Sequence, residues 1–491
     1  MRNPSHRLGA LLIFFAGTMA AGICHAADPP DQTAAVINRG EYLATAADCG
    51  ACHTTPGGRP FAGGLPIGTP LGTIYSTNIT PSADFGIGRY TEEEFSRALR
   101  RGVRRDGANL YPAMPYTSYV KFTEDDAHAL YVYFTQAVKP VEQRAPPTQL
   151  PFPMNIRASM IAWNLLFLDS AGFVPDPHQS AEWNRGAYLV QGAAHCSTCH
   201  TPRGFLMQEE ASRALSGAQV GPWYAPNITS DPISGIGSWN QEELVAYLRT
   251  GRLRERAQAA GSMGEAVEHS FQHLSASDLD AIATYVKSVP AVHNQADDAA
   301  RFSAGNMFSE LGTLRGRDGI RSDNDADPAG AQLFQGNCAS CHSAEGQGSK
   351  DGYYPSLFRN SATGAKNATN LIAAILYGVD RTTSGGQAFM PGFGGRPTDA
   401  NALSDRDIVV LGNYVLTHYG AADTTITEQQ VAQVRRGGPA SPLLALARGG
   451  MAAAAVVVLL GVAFLTFRRR NRSSNLSSFR HPSSDQALDR K

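Results

Sequence analysis

The sequence predicts an all-α chain, with three tandem helical modules followed by one C-terminal transmembrane helix. Three observations predict it. The pattern Cys-x-x-Cys-His occurs three times, at Cys49–His53, Cys196–His200 and Cys338–His342. Laying residue n on residue n+149 matches much of the first third of the chain to the second. Residues 449–467 carry no charge and include Met451-Ala-Ala-Ala-Ala-Val-Val-Val-Leu-Leu, apolar on every face.

Cys-x-x-Cys-His is the attachment signature of c-type haem. On a helical turn, residues i, i+3 and i+4 share one face, so two thiols and an imidazole project together. The thiols can add to the two vinyl groups of one porphyrin while the histidine binds its iron. A zinc ligand pair or a redox dithiol would need only Cys-x-x-Cys. Three complete matches favour three covalently bound haem c. The attachment residues are then Cys49, Cys52, Cys196, Cys199, Cys338 and Cys341, with His53, His200 and His342 as iron ligands. The seventh cysteine, Cys24, lies in the N-terminal segment. No thiol is left for a disulfide, a zinc site or a nucleophile.

The two ends point to a membrane. Arg2 and Arg7 precede an apolar run from Leu8 to Ile23 and the small residues around Ala26. This is the form of a secretory signal peptide, residues 1–26, cut after Ala26. Nineteen residues at about 1.5 Å rise span about 28 Å, close to the hydrocarbon core of a bilayer. Arg468, Arg469, Arg470 and Arg472 follow directly, which places the tail 468–491 in the cytoplasm and the body on the other side.

Between these ends the chain divides into a first module (33–139), a linker (140–182), a second module (183–290), a linker (291–327) and a third module (328–422). Arg39-Gly40-x-Tyr42-Leu43 matches Arg185-Gly186-x-Tyr188-Leu189. Asn78-Ile79-Thr80 matches Asn227-Ile228-Thr229, and Gly86-Ile87-Gly88 matches Gly235-Ile236-Gly237. The period is that of a whole duplicated domain, far longer than the ~20–50 residues of a solenoid. Each copy should open with an amphipathic helix entering the signature, with Tyr42 and Tyr188 as core aromatics packing it on the closing helix. A glycine- and proline-rich loop, a helix at 91–101 or 239–250, a loop bearing methionine and a closing helix at 124–136 or 277–289 should follow. A capping hydroxyl, Thr123 or Ser275, stands at the start of each closing helix. The third module keeps this plan in shorter form, with helices at 370–378 and 404–419. The Asn-Ile-Thr pairs suggest loop geometry or propionate hydrogen bonds. The apolar stretch from Met160 to Phe167 should pack between modules or against a partner.

A second iron ligand decides between electron transfer and catalysis, because a protein sulfur fills the position that oxygen or peroxide would need. Met390 lies between Phe389 and Pro391, Met114 lies in Pro112-Ala-Met-Pro115, and Met263 matches Met114 under the repeat. Flanking prolines stiffen a loop that must present its methionine. The competing reading of each is an ordinary gap-filling core methionine. His128, His195, His269, His273 and His293 read as surface or loop residues.

Composition narrows the function further. Charged residues make up 17% of the chain, against 49 glycines and 29 prolines, which suits helices joined by long ordered loops around a cofactor. The net charge of −1 hides basic ends, and the body between them is net acidic, about −8, which argues against a nucleic-acid partner. No glycine-rich nucleotide fingerprint, Ser/His/Asp pattern or flavin signature is present. Three sulfur-capped haems with no other reactive constellation read as a relay, with the substrate oxidised on another polypeptide.

Arg39-Gly-Glu-Tyr-Leu, the first signature with its Thr-Thr-Pro-Gly-Gly, Tyr75-Ser-Thr-Asn-Ile-Thr-Pro, Tyr111-Pro-Ala-Met-Pro-Tyr and Pro151-Phe-Pro-Met-Asn-Ile-Arg form an ordered series. It continues through Ala225-Pro-Asn-Ile-Thr-Ser-Asp, Leu274-Ser-x-x-Asp-Leu and Phe389-Met-Pro-Gly-Phe. Over residues 35–420 the chain resembles the tri-haem cytochrome c subunits of membrane-bound periplasmic dehydrogenases, of the alcohol dehydrogenase and gluconate 2-dehydrogenase type. The resemblance implies three tandem cytochrome c domains and a catalytic dehydrogenase subunit, whether flavoprotein, quinoprotein or molybdoprotein, with a small accessory subunit as a further partner. It also implies delivery of electrons to ubiquinone or a terminal oxidase at the bacterial inner membrane. The chain would then be an electron-transfer subunit acting for CH–OH donors and not catalytic alone. Two alternatives are a cytochrome subunit of a molybdenum hydroxylase and a haem peroxidase with one open iron.

Overall fold

Glycine sets how closely the helices of the first two modules cross. In the computed structural model, which describes residues 32–309, 311–315 and 328–477, the opening helix α1 (Gln32–Ala46) runs into α2 (Cys49–His53), the first signature. A hairpin of β1 (Pro66–Thr69) and β2 (Gly72–Tyr75) follows, then α3 (Glu92–Arg101), α4 (Tyr116–Tyr119) and the closing helix α5 (Glu124–Val132). A Cβ on Gly40 of α1 would meet the Ala129 carbonyl oxygen of α5 at 2.1 Å. Only glycine lets the two backbones approach so closely.

After α6 (Ser159–Phe167) the pattern repeats. The second module has α7 (Ala181–Tyr188), α8 (Cys196–His200), a hairpin of β3 (Ala218–Val220) and β4 (Trp223–Ala225), and α9 (Gln241–Thr250). The short pair β5 (Arg252–Leu253) and β6 (Ala257–Gln258), α10 (Gly261–His269) and the closing helix α11 (Ala276–Ser288) complete it. A Cβ on Gly186 would lie 1.9 Å from the Ala281 oxygen of α11, the same crossing. Thr123 Oγ1 and Ser275 Oγ cap the closing helices, accepting from the amides of Asp126 and Asp278 at 3.1 Å each.

The third module contains α12 (Leu311–Leu314), α13 (Pro328–Asn337), α14 (Ala339–His342), α15 (Thr369–Tyr377), a hairpin of β7 (Val379–Thr383) and β8 (Gly386–Met390), and α16 (Asp405–Tyr419). A further helix, α17 (Glu428–Arg435), lies beyond the expected module end at residue 422. It buries Val431 and Val434 against α15 and α16, and Arg435 Nε donates to Asp405 at 2.7 Å. The fold is thus mostly helical, as expected, with four small antiparallel hairpins added.

The first two modules bury one continuous apolar core, joining Leu43, Phe122 and Leu130 to Leu189, Leu279 and Ile282. Its seam is reciprocal. Tyr42 donates to Asp278 at 2.6 Å, and Tyr188 donates to Asp126. Each aspartate also binds the arginine of its own module: Arg39 Nε to Asp126 at 2.6 Å, and Arg185 to both oxygens of Asp278 at 2.8 and 2.7 Å. Tyr42 and Tyr188 therefore reach the closing helix of the other copy, where the sequence pointed to their own. The third module has a separate core.

Linker helix α6 bridges the first two modules with one face: Asn164 Oδ1 accepts from the Tyr116 hydroxyl at 2.8 Å and Trp163 Nε1 donates to the Leu206 carbonyl at 2.9 Å. Its other face, with Ile161, Leu165 and Leu166, is exposed. The last helix, α18 (Leu443–Ser477), contains the apolar run. Within Leu443–Arg469 an 18-residue window has mean hydropathy 2.4 and no buried residue, which is compatible with a membrane anchor, while Arg448 Nε at its start donates to the Phe152 carbonyl at 3.1 Å. The signal peptide and Cys24 lie outside the described residues, as does the tail beyond residue 477.

Candidate functional site

The first two signatures enter their helical turns from a sharp bend. Asp48 (φ 53°) and His195 (φ 36°) take the left-handed conformation directly before Cys49 and Cys196. His195 is consequently no free loop residue: its ring packs edge-on against Tyr119 at 5.8 Å, and Tyr119 donates to the Ala47 carbonyl at 2.8 Å. The first two signatures therefore start side by side at the seam.

The three histidines are prepared alike. Nδ1 of His53 meets the Thr77 carbonyl at 2.6 Å, that of His200 the Pro226 carbonyl at 2.7 Å, and that of His342 the Pro355 carbonyl at 2.9 Å. A carbonyl only accepts, so Nδ1 carries the proton and Nε2 keeps its lone pair for a metal. Burial pushes all three imidazoles down, His200 to about 4, so they are neutral at pH 7. The backbone holds them in the same way each time. The His53, His200 and His342 carbonyls accept from Gly63, Gly217 and Gly348 at 2.7, 2.7 and 2.9 Å. All three glycines have positive φ.

The cysteines suit attachment better than thiolate chemistry. All six are free of disulfides, and burial pushes Cys49, Cys52, Cys196 and Cys338 up to about 12. At pH 7 these groups are therefore neutral thiols. Among the described residues no group of three or more His, Cys, Asp or Glu could hold a metal ion. The residues present fit a covalently held porphyrin: paired thiols, a neutral oriented imidazole and an apolar hollow facing it.

That hollow is a cavity of about 540 Å³ shared by the second and third modules. Its wall includes Cys196, Cys199, His200 and Met263 from one side and His342 and Met390 from the other. Met263 projects from α10, a helix where a loop was expected, and Met390 ends β8 of a hairpin that the sequence reading passed over. The first-module residues lie outside this cavity, where Cys49 and Met114 pack on the shared core. Cys338 packs on the third-module core.

The duplicated Asn-Ile-Thr fixes the loop. Asn78 Oδ1 accepts from the Thr80 amide and hydroxyl at 2.9 and 2.7 Å, and its Nδ2 donates to the Val141 carbonyl at 2.8 Å. Asn227, Thr229 and Val292 repeat the arrangement. Both asparagines are buried and hold the loop geometry expected of them, and Asn227 also lines the shared cavity.

Known proteins extend this picture. The cytochrome c family model matches residues 328–418, the third module. The chain is 46% identical over 473 residues to the fructose dehydrogenase cytochrome subunit of Gluconobacter japonicus, covering 93% of this chain and 97% of that protein. It is 38% identical over 425 residues to the alcohol dehydrogenase (quinone) cytochrome c subunit of Gluconacetobacter polyoxogenes, covering 84% and 87%. It is also 38% identical over 423 residues to the gluconate 2-dehydrogenase cytochrome c subunit of Pantoea cypripedii, covering 82% and 90%. With covalent haem c as the cofactor and a dehydrogenase as the partner, the chain belongs to the family of electron-transfer cytochrome c subunits of dehydrogenases.

Proposed function

We propose that this chain carries three haem c groups and relays electrons from a catalytic subunit that oxidises a sugar or alcohol at a CH–OH carbon. When bound, each haem supplies a one-electron ferric–ferrous couple. The protein's part is to hold and tune that couple. His53, His200 and His342 present Nε2, and Met114, Met263 and Met390 supply the opposing thioethers, which favour the ferrous state. The observation that carries the reading is the threefold imidazole–carbonyl pair, with two of the three histidines lining one cavity together with Met263 and Met390.

The order of the sites follows the chain. The first two signatures start side by side, with Tyr119 against both His195 and the Ala47 carbonyl, and the second and third sites open into the same cavity, which supports a line with the second module in the middle. Helix α18 anchors the chain, with its arginine-flanked end in the cytoplasm and the modules on the periplasmic side. Ubiquinone or a terminal oxidase takes the electrons. The near full-length likeness to a fructose dehydrogenase subunit favours a sugar as the substrate of the catalytic subunit.

The test is a haem count by pyridine haemochrome on the exported full chain, followed by addition of a sugar or alcohol with and without the co-purified catalytic subunit. Three haems per chain, reduced only when that subunit is present, is the expected result. A colourless chain, or one that oxidises substrate unaided, overturns the proposal.

A further inference from the structure

One wall of the shared cavity holds an uncompensated cation. Arg301 belongs to the segment that joins the second and third modules. Its Nη1 donates to the Ser234 carbonyl at 2.6 Å and its Nη2 to the Asn227 carbonyl at 3.3 Å. Its Nε is buried with no partner. Among the described residues no carboxylate comes within ion-pair distance, and Asp297 acts on it only through space. Beside it stands Trp239, 3% exposed, packed on Tyr247 and Phe302, with its indole Nε1 also buried and unpartnered. Both side chains line the cavity that carries His200 and Met263.

A guanidinium withdrawn from water without an anion is strongly unfavourable, and two orphaned donors on one wall double the demand for an acceptor. Burial holds the Arg301 guanidinium below its usual range, in keeping with its unpartnered Nε. The group that Cys196, Cys199 and His200 are suited to hold brings two carboxylates on its porphyrin edge.

We propose that Arg301 and Trp239 bind a porphyrin carboxylate in the second-module site, and that Arg301 thereby places a positive charge between the second and third sites. This deepens the relay reading and rests on it. The first module has no such pair. Tyr90 stands at the position of Trp239, and its hydroxyl already accepts from the Arg105 amide at 3.4 Å. Counting from the matched Val141 and Val292, the buried Leu150 stands where the second module has Arg301. The duplication has therefore diverged at this point, and the two sites differ in local charge. A nearby cation disfavours ferric iron, so the second site has a higher potential than it would have without Arg301.

The test uses the full haem-loaded chain with its catalytic partner and the variants Arg301→Gln, Arg301→Lys and Trp239→Phe. Midpoints come from spectroelectrochemical titration, and carboxylate hydrogen bonding comes from the propionate bending band in resonance Raman spectra. Arg301→Gln should lower one midpoint of three, the one that Met263→His also moves, and shift the band. Arg301→Lys should recover most of the midpoint, and Trp239→Phe should shift the band with a smaller fall in midpoint. Wild-type midpoints and an unchanged band in both Arg301→Gln and Trp239→Phe overturn the proposal. If Arg301→Gln fails to load the second haem, Trp239→Phe decides alone, a shifted band supporting the proposal and an unchanged one refuting it. Failure of the relay reading would look different, as missing haems or an irreducible chain in the unmutated protein.

Discussion

Replacing Tyr188 by phenylalanine removes one hydroxyl from the seam between the first two modules, and its effect should cross that seam. Tyr188 and the side chain of Asp126 are nearly inaccessible to water, at 6% and 3% exposure. The lost contact is a hydrogen bond to a carboxylate, which contributes about 1.5–3 kcal/mol. Asp126 keeps Arg39, but that side chain is 57% exposed and its attraction is screened, so it offsets little of the loss. For a cooperative unit of this size, 1 kcal/mol shifts Tm by about 2–4 °C, so a fall of roughly 3–12 °C is expected. Tyr42→Phe should cost less, about 1 kcal/mol, because Tyr42 is only half-buried and Asp278 keeps both bonds from Arg185. The assay is thermal melting of the haem-loaded chain with hydrogen exchange followed by mass spectrometry. Peptides from α1 and α5 should lose protection together with those from α7 and α11, while α13 and α16 stay unchanged. Loss confined to the second module would refute the shared core.

Three further outcomes follow from the same geometry. Burial pushes the Asp278 carboxyl up, but the bonds from Arg185 and Tyr42 outweigh it and leave the folded carboxyl below its ordinary value. Its stabilisation is therefore complete above the unfolded pKa near 3.9 and lost as pH falls through the lower folded value. Asp278→Asn should be less stable at pH 7, and denaturant titrations should show a shallower loss of stability below about pH 4 than the unmutated chain. Gly186→Ala drives a methyl into the Ala281 carbonyl and should cost about 1–3 kcal/mol in urea unfolding, whereas Gly336→Ala, with open space around it, should cost nothing. Met390→His should lower one haem midpoint and slow acceptor reduction while dye-linked substrate oxidation by the partner continues; unchanged midpoints would remove Met390 from the ligand set.

The local parts of this structure were legible because their signals are local. The signatures sit on helical turns, the capping hydroxyls Thr123 and Ser275 start the helices they were expected to start, and the repeat leads from Met114 to Met263. What escaped depends on the return path of the chain. Nothing near His53 marks Thr77 as the carbonyl its imidazole will meet, and the glycines that bond the three histidine carbonyls lie at unequal distances, Gly63, Gly217 and Gly348. The Tyr42 and Tyr188 hydroxyls could not be sent to the opposite copy, since each copy offers the same aspartate three residues after its cap. The hairpin bearing Met390 had a usable sign in Ser384-Gly385 between two five-residue strands. Helix α17 was announced by the capping box Thr427-x-x-Gln430 and the pair Val431 and Val434.

The reciprocal seam also fixes an order of events. Synthesis delivers Tyr42 long before Asp278, which lies 236 residues further on. At ~5–20 residues per second, the interval is on the order of 10–50 s. Through that interval the first half lacks the partner for Tyr42 and half of the shared core, so neither copy can complete its side of the seam before both have been made.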